Sequence, residues 1–431
     1  MKRTKIFFEC NGTWESDANT GIQRVVRNIV KEAPGLAEGF NVETVAVIVR
    51  FNRFWRVGKK SAVASFKTSC FYFLKKFYHK VRPFIMKTFP LESAEHLLVS
   101  CGGSFLPIVF DIILFPLMFA FYLQSKIKPG KGDILLLLDS SWCYPIWPAI
   151  RKAKNDGATI GLVIHDMITI RHQDFFPPAI TRRFNSWFAQ AVQYADFFIG
   201  ISETVQVELQ KYLQQNHPNY LSHCRIGFFP LGCTLDNISK SNPIGNGLKE
   251  LFQRSDIYIA VGTIEPRKNH QYLLDAFDII WQQCPDVALC IIGKIGWLND
   301  RIVTRIKKHP LFKKNLFMFN NISDTELDYC YRHSKALISS SLAEGFDLPV
   351  AEALHHGLLT LVSDIPIHRE VGKDFCTYFD ISNPDFLAKI IINIEKNVKT
   401  PEIRKNKEEY KLTGWEDSCR ELLTQVQALS K

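Results

Sequence analysis

Glu344 and Glu352 stand eight positions apart, with Gly345, Phe346 and Pro349 between them, around a strand-to-helix turn. Proline favours the first helical position, so Pro349 places Glu352 in the first turn of a helix. Gly345 lets the backbone come close to a ligand, and a helix N-terminus attracts an anion. A carboxylate beside a phosphate would repel it, so this pair suits the hydroxyls of a sugar or a ribose. A second group follows an apolar strand: Gly262 and Thr263, then Arg267 and Lys268. Two cations after a glycine turn supply what a diphosphate leaving group needs as its charge develops. His165 ends another strand, where the ordinary role of a histidine is that of a satisfied core residue. Ser323 and Glu326 have capping-box spacing and read as a helix start. No DxD pair stands where a metal-dependent transferase would need one. Cations at the leaving group make a divalent ion unnecessary, so neither metal nor cofactor is expected.

These residues need a frame that brings strand ends together. Short apolar strands at 5–10, 134–138, 160–164 and 197–201 each run into polar residues, and residues 11–19 read as a polar loop. A helix starts at Thr20, whose spacing to Gln23 is that of a capping box, and carries Ile22, Val25, Val26, Ile29 and Val30 at helical spacing. Residues 234–247 carry Asn, Ser, Pro and Gly without periodicity and read as a linker. The alternation then restarts with strands at 257–261, 288–292, 316–319, 336–338 and 359–362. Continuous apolar strands flanked by helices imply parallel sheets covered on both faces. The fold class is therefore α/β, two tandem Rossmann-like doubly wound domains, whose ligands bind at the carboxyl ends of the strands. The expected layout is a first domain over 1–235 with an insertion at about 52–131, a second over 248–414, and a terminal helix over 415–431 packing across the junction.

The chain has 431 residues, 46% of them apolar and 22% charged, which excludes a disordered protein and favours more than one core. Eleven cysteines occur singly, an odd number without a CxxC pair. That pattern argues against a disulfide framework or zinc and fits a reducing cytosol. The apolar run at 6–8 is too short for a signal peptide. The net charge of +10 is concentrated. Residues 52–90 hold ten Lys or Arg, ten aromatics and no acid, and the remaining 43 bases match the 43 acids. Residues 105–123 are apolar apart from Asp111 and are broken by Pro107 and Pro116. Basic residues interleaved with aromatics beside such a segment suit anionic lipid better than nucleic acid. Peripheral contact with the inner face of the cell membrane, through about 52–123, is the expectation.

Three motifs carry a resemblance. Residues 262–269 (Gly-Thr-Ile-Glu-Pro-Arg-Lys-Asn), the Glu344/Glu352 pair and residues 365–372 (Ile-Pro-Ile-His-Arg-Glu-Val-Gly) resemble glycosyltransferase family 4, which has the GT-B fold. Residues 20–26, 139–142 and 165–168 are similar to the branch containing bacterial mannosyl- and rhamnosyltransferases of surface polysaccharides. The match covers roughly 4–52 and 132–429. It implies a retaining transferase moving a hexose such as mannose from a GDP- or UDP-linked donor to a glycan or lipid-linked acceptor. Arg267 and Lys268 would bind the donor diphosphate, Glu344 would lie against the transferred sugar, and Glu352 would hold the nucleotide ribose. Gly21 would face the diphosphate from the first domain, His165 would stand near the donor sugar, and Gly262, Thr263, Gly345 and Phe346 would complete the donor site. Thr263 stands where many members have arginine, which gives that charge to Arg267.

Two rivals belong to other classes. A catalytically silent nucleotide-sugar-binding or scaffold protein of the same fold would lack turnover, and both glutamates together with Arg267 and Lys268 count against it. A dinucleotide-dependent oxidoreductase would need GxGxxG after a strand, and neither Gly12 nor Gly262 begins one.

Overall fold

The computed structural model describes residues 3–15, 20–57, 126–221, 224–235, 244–254, 256–398 and 413–431. Of the expected lipid contact through about 52–123, residues 58–123 lie outside these residues. The first sheet has eight strands: β1 (Thr4–Glu9), β2 (Val42–Arg50), β3 (Arg53–Arg56), β4 (Lys126–Ile127), β5 (Ile134–Leu137), β6 (Thr159–Ile164), β7 (Phe197–Gly200) and β8 (Arg225–Phe228). Its spatial order is β4-β3-β2-β1-β5-β6-β7-β8. The six strands from β2 to β8 in that order are parallel, and β3 and β4 extend the edge antiparallel. The second sheet holds β9 (Ile257–Val261), β10 (Ala288–Ile292), β11 (Leu316–Phe319), β12 (Ala336–Ser339), β13 (Leu359–Ser363) and β14 (Thr377–Phe379). Its order is β11-β10-β9-β12-β13-β14, all parallel.

Both sheets are wound in two directions from a central strand, β1 in the first and β9 in the second. That arrangement opens a crevice beyond the strand ends on either side of the reversal. The apolar strands expected from the sequence are therefore present, and β2, β3, β4, β8 and β14 add to them. In the chain, residues 58–125 lie between β3 and β4. These two strands pair directly, Phe54 opposite Ile127 and Trp55 opposite Lys126.

The reading of residues 11–19 as a loop needs correction, because Asn11–Glu15 forms a helix. Asn11 anchors that turn to β2: its side-chain amide donates to the Val49 carbonyl at 3.0 Å and accepts from the Val49 amide at 2.8 Å. Such a contact between residues 38 apart leaves no local signature. The unpatterned linker also ends early, since a helix Asn246–Leu251 already includes Asn246 and Gly247.

The helix Gly21–Leu36 begins as expected, with the Gln23 side chain accepting from the Thr20 amide at 3.1 Å. The helix Trp415–Leu429 returns to the first domain. Trp415, Cys419, Leu422, Leu423 and Val426 are buried in that domain's core, and the helix lies against Gly21–Leu36 and β8. The nine described cysteines are free. Among the described residues, no helix is long and apolar enough to cross a membrane.

Candidate functional site

A cleft of about 630 Å³ opens between the carboxyl ends of the two sheets. The first domain lines it with Thr20, Gly21, Arg24, His165 and Asp166. The second contributes Gly262, Thr263, Arg267, Lys268, Glu344, Gly345, Phe346 and Glu352. Every donor-site residue selected from the sequence thus lines one space, although they come from segments more than 300 positions apart.

The second domain builds its part from two successive strand ends. After β9, the chain turns at Gly262, whose φ of 149° disfavours any side chain. A Cβ there would also stand 2.8 Å from Lys268 Cε. A short 3-10 turn, Pro266–Lys268, then presents both cations. After β12, the loop carrying Glu344 leads into the helix Leu348–His355. Asp347 precedes that helix in a left-handed conformation, φ 67°. The helix therefore starts at Leu348, and Glu352 is its fifth residue, a full turn in, rather than in the first turn as Pro349 suggested.

Three of the charges expected to work separately, Arg267, Lys268 and Glu344, are joined here. Arg267 pairs with Glu344 and with Glu265, the latter at 2.6 Å. Lys268 Nζ lies 2.7 Å from Glu344 and 2.9 Å from Asp347. Ser341 donates to Glu344 at 2.8 Å, and Ser339 donates to Asp347 at 2.6 Å. His368 completes the cage, with Nε2 3.0 Å from Asp347. Burial opposes the charge on Lys268, but Asp347 and Glu344 outweigh it and hold its ammonium above the ordinary range. Arg267 behaves likewise under Glu344, Glu265 and Asp166. Burial also works against the Asp347 carboxylate, yet Lys268 and His368 keep it well below the usual range. Both cations therefore stay charged, positioned by carboxylates before any ligand arrives.

Across the cleft, His165 is buried and its Nε2 lies 2.8 Å from the Leu138 carbonyl. Burial lowers its pKa, with the hydrogen bond to Leu138 acting in opposition, so the imidazole is neutral near pH 7. Gly345 lies directly against it. A Cβ on Gly345 would stand 2.0 Å from the His165 carbonyl oxygen, so the close approach that requires glycine is to the facing domain's backbone. Ser202 fixes the same seam by donating to the Gly345 carbonyl at 2.8 Å. Phe346 packs against the cores of both domains. Gly21 lies less close to the second domain, since a Cβ there would meet Leu348 Cδ1 at an ordinary 3.8 Å.

Glu352 is buried and accepts from Tyr331 at 2.8 Å and from Arg24, which reaches over from the first domain. Burial raises its pKa, and Arg24 and Tyr331 pull it back. Sequence reasoning missed Arg24, Glu265, Tyr331, Asp166 and Asp347. Asp347 sits inside the 344–352 motif, and Arg24 lies one helical turn after Gly21, so both had a local signal. Tyr331 had none, because its helix reads as ordinary packing. Ser323 and Glu326 form the expected capping box, with the Glu326 carboxylate accepting from the Ser323 amide at 2.9 Å.

Residues 249–410 match the family described as Glycosyl transferases group 1. The serotype-specific mannosyltransferase WbdA of Escherichia coli is 28% identical over 397 residues, 90% of this chain and 41% of that protein. The O-antigen chain mannosyltransferase B of Escherichia coli is 24% identical over 233 residues, 53% of this chain and 59% of its own length. The chain thus spans about two fifths of the first relative and under two thirds of the second. Among solved structures, sucrose-phosphate synthase from Thermosynechococcus elongatus superposes with a TM-score of 0.56 at 16% identity, covering 99% of this chain and 96% of that one. Anabaena HepE in complex with UDP and glucose gives 0.53 at 14% identity, covering 99% and 97%. These likenesses are of fold, and the fold is GT-B. The resemblance to GT-B glycosyltransferases read from the motifs is matched by these findings.

Proposed function

We propose that this chain is a retaining glycosyltransferase that moves a hexose, mannose or similar, from a GDP- or UDP-linked donor to a glycan or lipid-linked acceptor in surface polysaccharide synthesis. The observation that carries the reading is the convergence of Arg267 and Lys268 with Glu344, Glu352 and His165 on one interdomain cleft. A cation pair of one buried and one half-buried side chain beside a helix start is where a diphosphate would sit, and it develops most of its negative charge as the sugar departs. Glu344, already bonded to both cations, lies where the transferred sugar would meet the diphosphate. Arg267 and Lys268 supply the charge a divalent ion would otherwise bring, so the reaction runs without metal or cofactor. The departing phosphate oxygen then takes the acceptor's proton on the face it leaves, which retains the anomeric configuration.

The mannosyltransferase relatives favour mannose and O-antigen-type acceptors. Synthesis on lipid carriers would place the enzyme on the cytoplasmic face of the membrane, in peripheral contact.

Purified protein screened against GDP-mannose and UDP-hexoses in EDTA, with a glycan acceptor, tests this reading. Transfer from one donor is expected, with an α-configured product by NMR from an α-linked donor. Arg267→Ala and Lys268→Ala should each lower transfer by ~100-fold while the fold persists, the usual loss when one donor leaves a preorganised anion site. Near-wild-type turnover in both variants would refute this placement of the diphosphate.

A further inference from the structure

Glu352, assigned above to the ribose, already has both carboxylate oxygens engaged. Oε2 accepts from the Tyr331 hydroxyl at 2.8 Å and Oε1 accepts from Arg24. With Glu352 only 1% exposed, a ribose diol reaches this carboxylate only by moving aside a group that covers it. Tyr331 is held in place: it belongs to the same domain, is 1% exposed, and stacks on His356 with ring centroids 5.3 Å apart. Arg24 comes from the first domain, on the cleft-facing side of the helix Gly21–Leu36. A second carboxylate, Asp324, lies 3.8 Å from its Nη2, at the start of the helix Asp324–His333. A guanidinium pivoting from Glu352 to Asp324 stays paired throughout, so leaving Glu352 strands no buried charge.

We propose that Arg24 is a displaceable stand-in for the nucleotide's ribose, a positioning residue that holds Glu352 until a 2′,3′-diol evicts it toward Asp324. The inference rests on the ribose assignment of Glu352. It makes the Arg24 contact a gate that opens only for a ligand with the diol. Because both carboxylates belong to the second domain and Arg24 to the first, each nucleotide exchange also moves one interdomain ion pair without breaking the seam at Ser202 and Gly345.

Its sign separates it from an ordinary anion contact. A guanidinium that merely bound phosphate would be missed on removal, whereas a competitor's removal tightens binding. Calorimetric titration of UDP and GDP into wild type, Arg24→Ala and Arg24→Lys tests this. With whichever nucleotide wild type binds, Arg24→Ala should bind about tenfold more tightly, and Arg24→Lys, which keeps charge and fold but loses reach, by a smaller factor. The gain should vanish in a Glu352→Gln background and for the 2′,3′-dideoxy form of the same nucleotide, which has nothing to offer Glu352. Weaker or unchanged binding by both Arg24 variants overturns the gate and leaves the donor assignment standing, as does an equal gain with the dideoxy nucleotide. If wild type binds neither UDP nor GDP, the donor reading itself fails and the gate fails with it.

Discussion

At the scale of single residues, the first-domain strand ends carry a charge problem of their own. Glu9, the last residue of β1, is fully buried, and its Oε1 accepts from the Asn11 amide at 2.9 Å. Among the described residues its Oε2 has no partner of ordinary hydrogen-bond geometry. Burial, and then the neighbouring charge of Asp139, push its pKa up to about 8. The folded protein therefore keeps this proton up to about pH 8, whereas an unfolded chain releases it near the ordinary 4.5. Between those values the folded state binds more protons, so the stability contributed by neutral Glu9 declines as pH rises. At about 1.4 kcal/mol per pH unit, the loss reaches roughly 3 kcal/mol by pH 7. Glu9→Gln keeps the acceptor for Asn11 and removes the titration. Thermal melts should show the variant gaining on wild type from pH 5 to pH 8, and parallel curves would refute the assignment. Glu344 calls for a different measurement. It holds both candidate diphosphate cations and, in the proposed reading, lies against the transferred sugar, so Glu344→Gln should depress turnover by ~100-fold or more and change donor KM little. Steady-state kinetics decide this, and a change confined to KM would contradict it.

At the scale of elements, the helix Glu203–Asn216 links the two domains through its N-terminus. Its first amides, on Glu203 and Thr204, both donate to the Glu370 carboxylate at 2.8 Å, and the Thr204 hydroxyl adds a third bond at 2.5 Å. Glu370 lies in the helix Pro366–Gly372 of the second domain. A helix N-terminus carries unpaired amides and partial positive charge, so a carboxylate from the facing domain satisfies both at once. Together with Ser202 on Gly345 and the Trp297 indole on the Phe175 carbonyl at 2.8 Å, it ties the domains into this relation. Glu370→Ala should accelerate hydrogen exchange at the amides of Glu203 and Thr204 by ~10-fold or more and raise donor KM. Unchanged protection there would mean that the contact does not hold the domains.

At the scale of the whole molecule, the concentrated charge of residues 52–90 remains to be used. The chain departs from β3 and re-enters at β4, which pair with one another at one edge of the first sheet. A single membrane crossing in between would put these two strands on opposite sides of the bilayer. Ten cations near anionic lipid would add on the order of 1 kcal/mol each, and the proline-broken apolar segment suits the interface. Flotation with anionic liposomes should therefore capture the full chain and release it with rising salt. Replacing residues 58–125 by a short linker should abolish flotation while β3 and β4 still pair. Equal flotation of the shortened protein would refute membrane docking through this segment.

The alternation of apolar runs with helical periodicity sufficed for the two doubly wound domains, because parallel strands buried on both faces must be almost wholly apolar. Motif spacing likewise placed Arg267, Lys268 and Glu344 at strand ends, where α/β sheets expose their loops, and Glu352 in the helix that follows. These features are local, and local sequence carries them. Which charges meet was decided only by the tertiary structure. Arg24 and Glu352 are 328 positions apart, and Arg267 and Glu344 are 77 apart. Their pairing depends on how two sheets face each other and on the left-handed turn at Asp347, which shifts the helix start and turns Glu352 toward Arg24 and Tyr331. The demand for glycine at position 345 has the same origin. Its neighbour is the His165 carbonyl of the other domain, a contact that exists only once the cleft has formed.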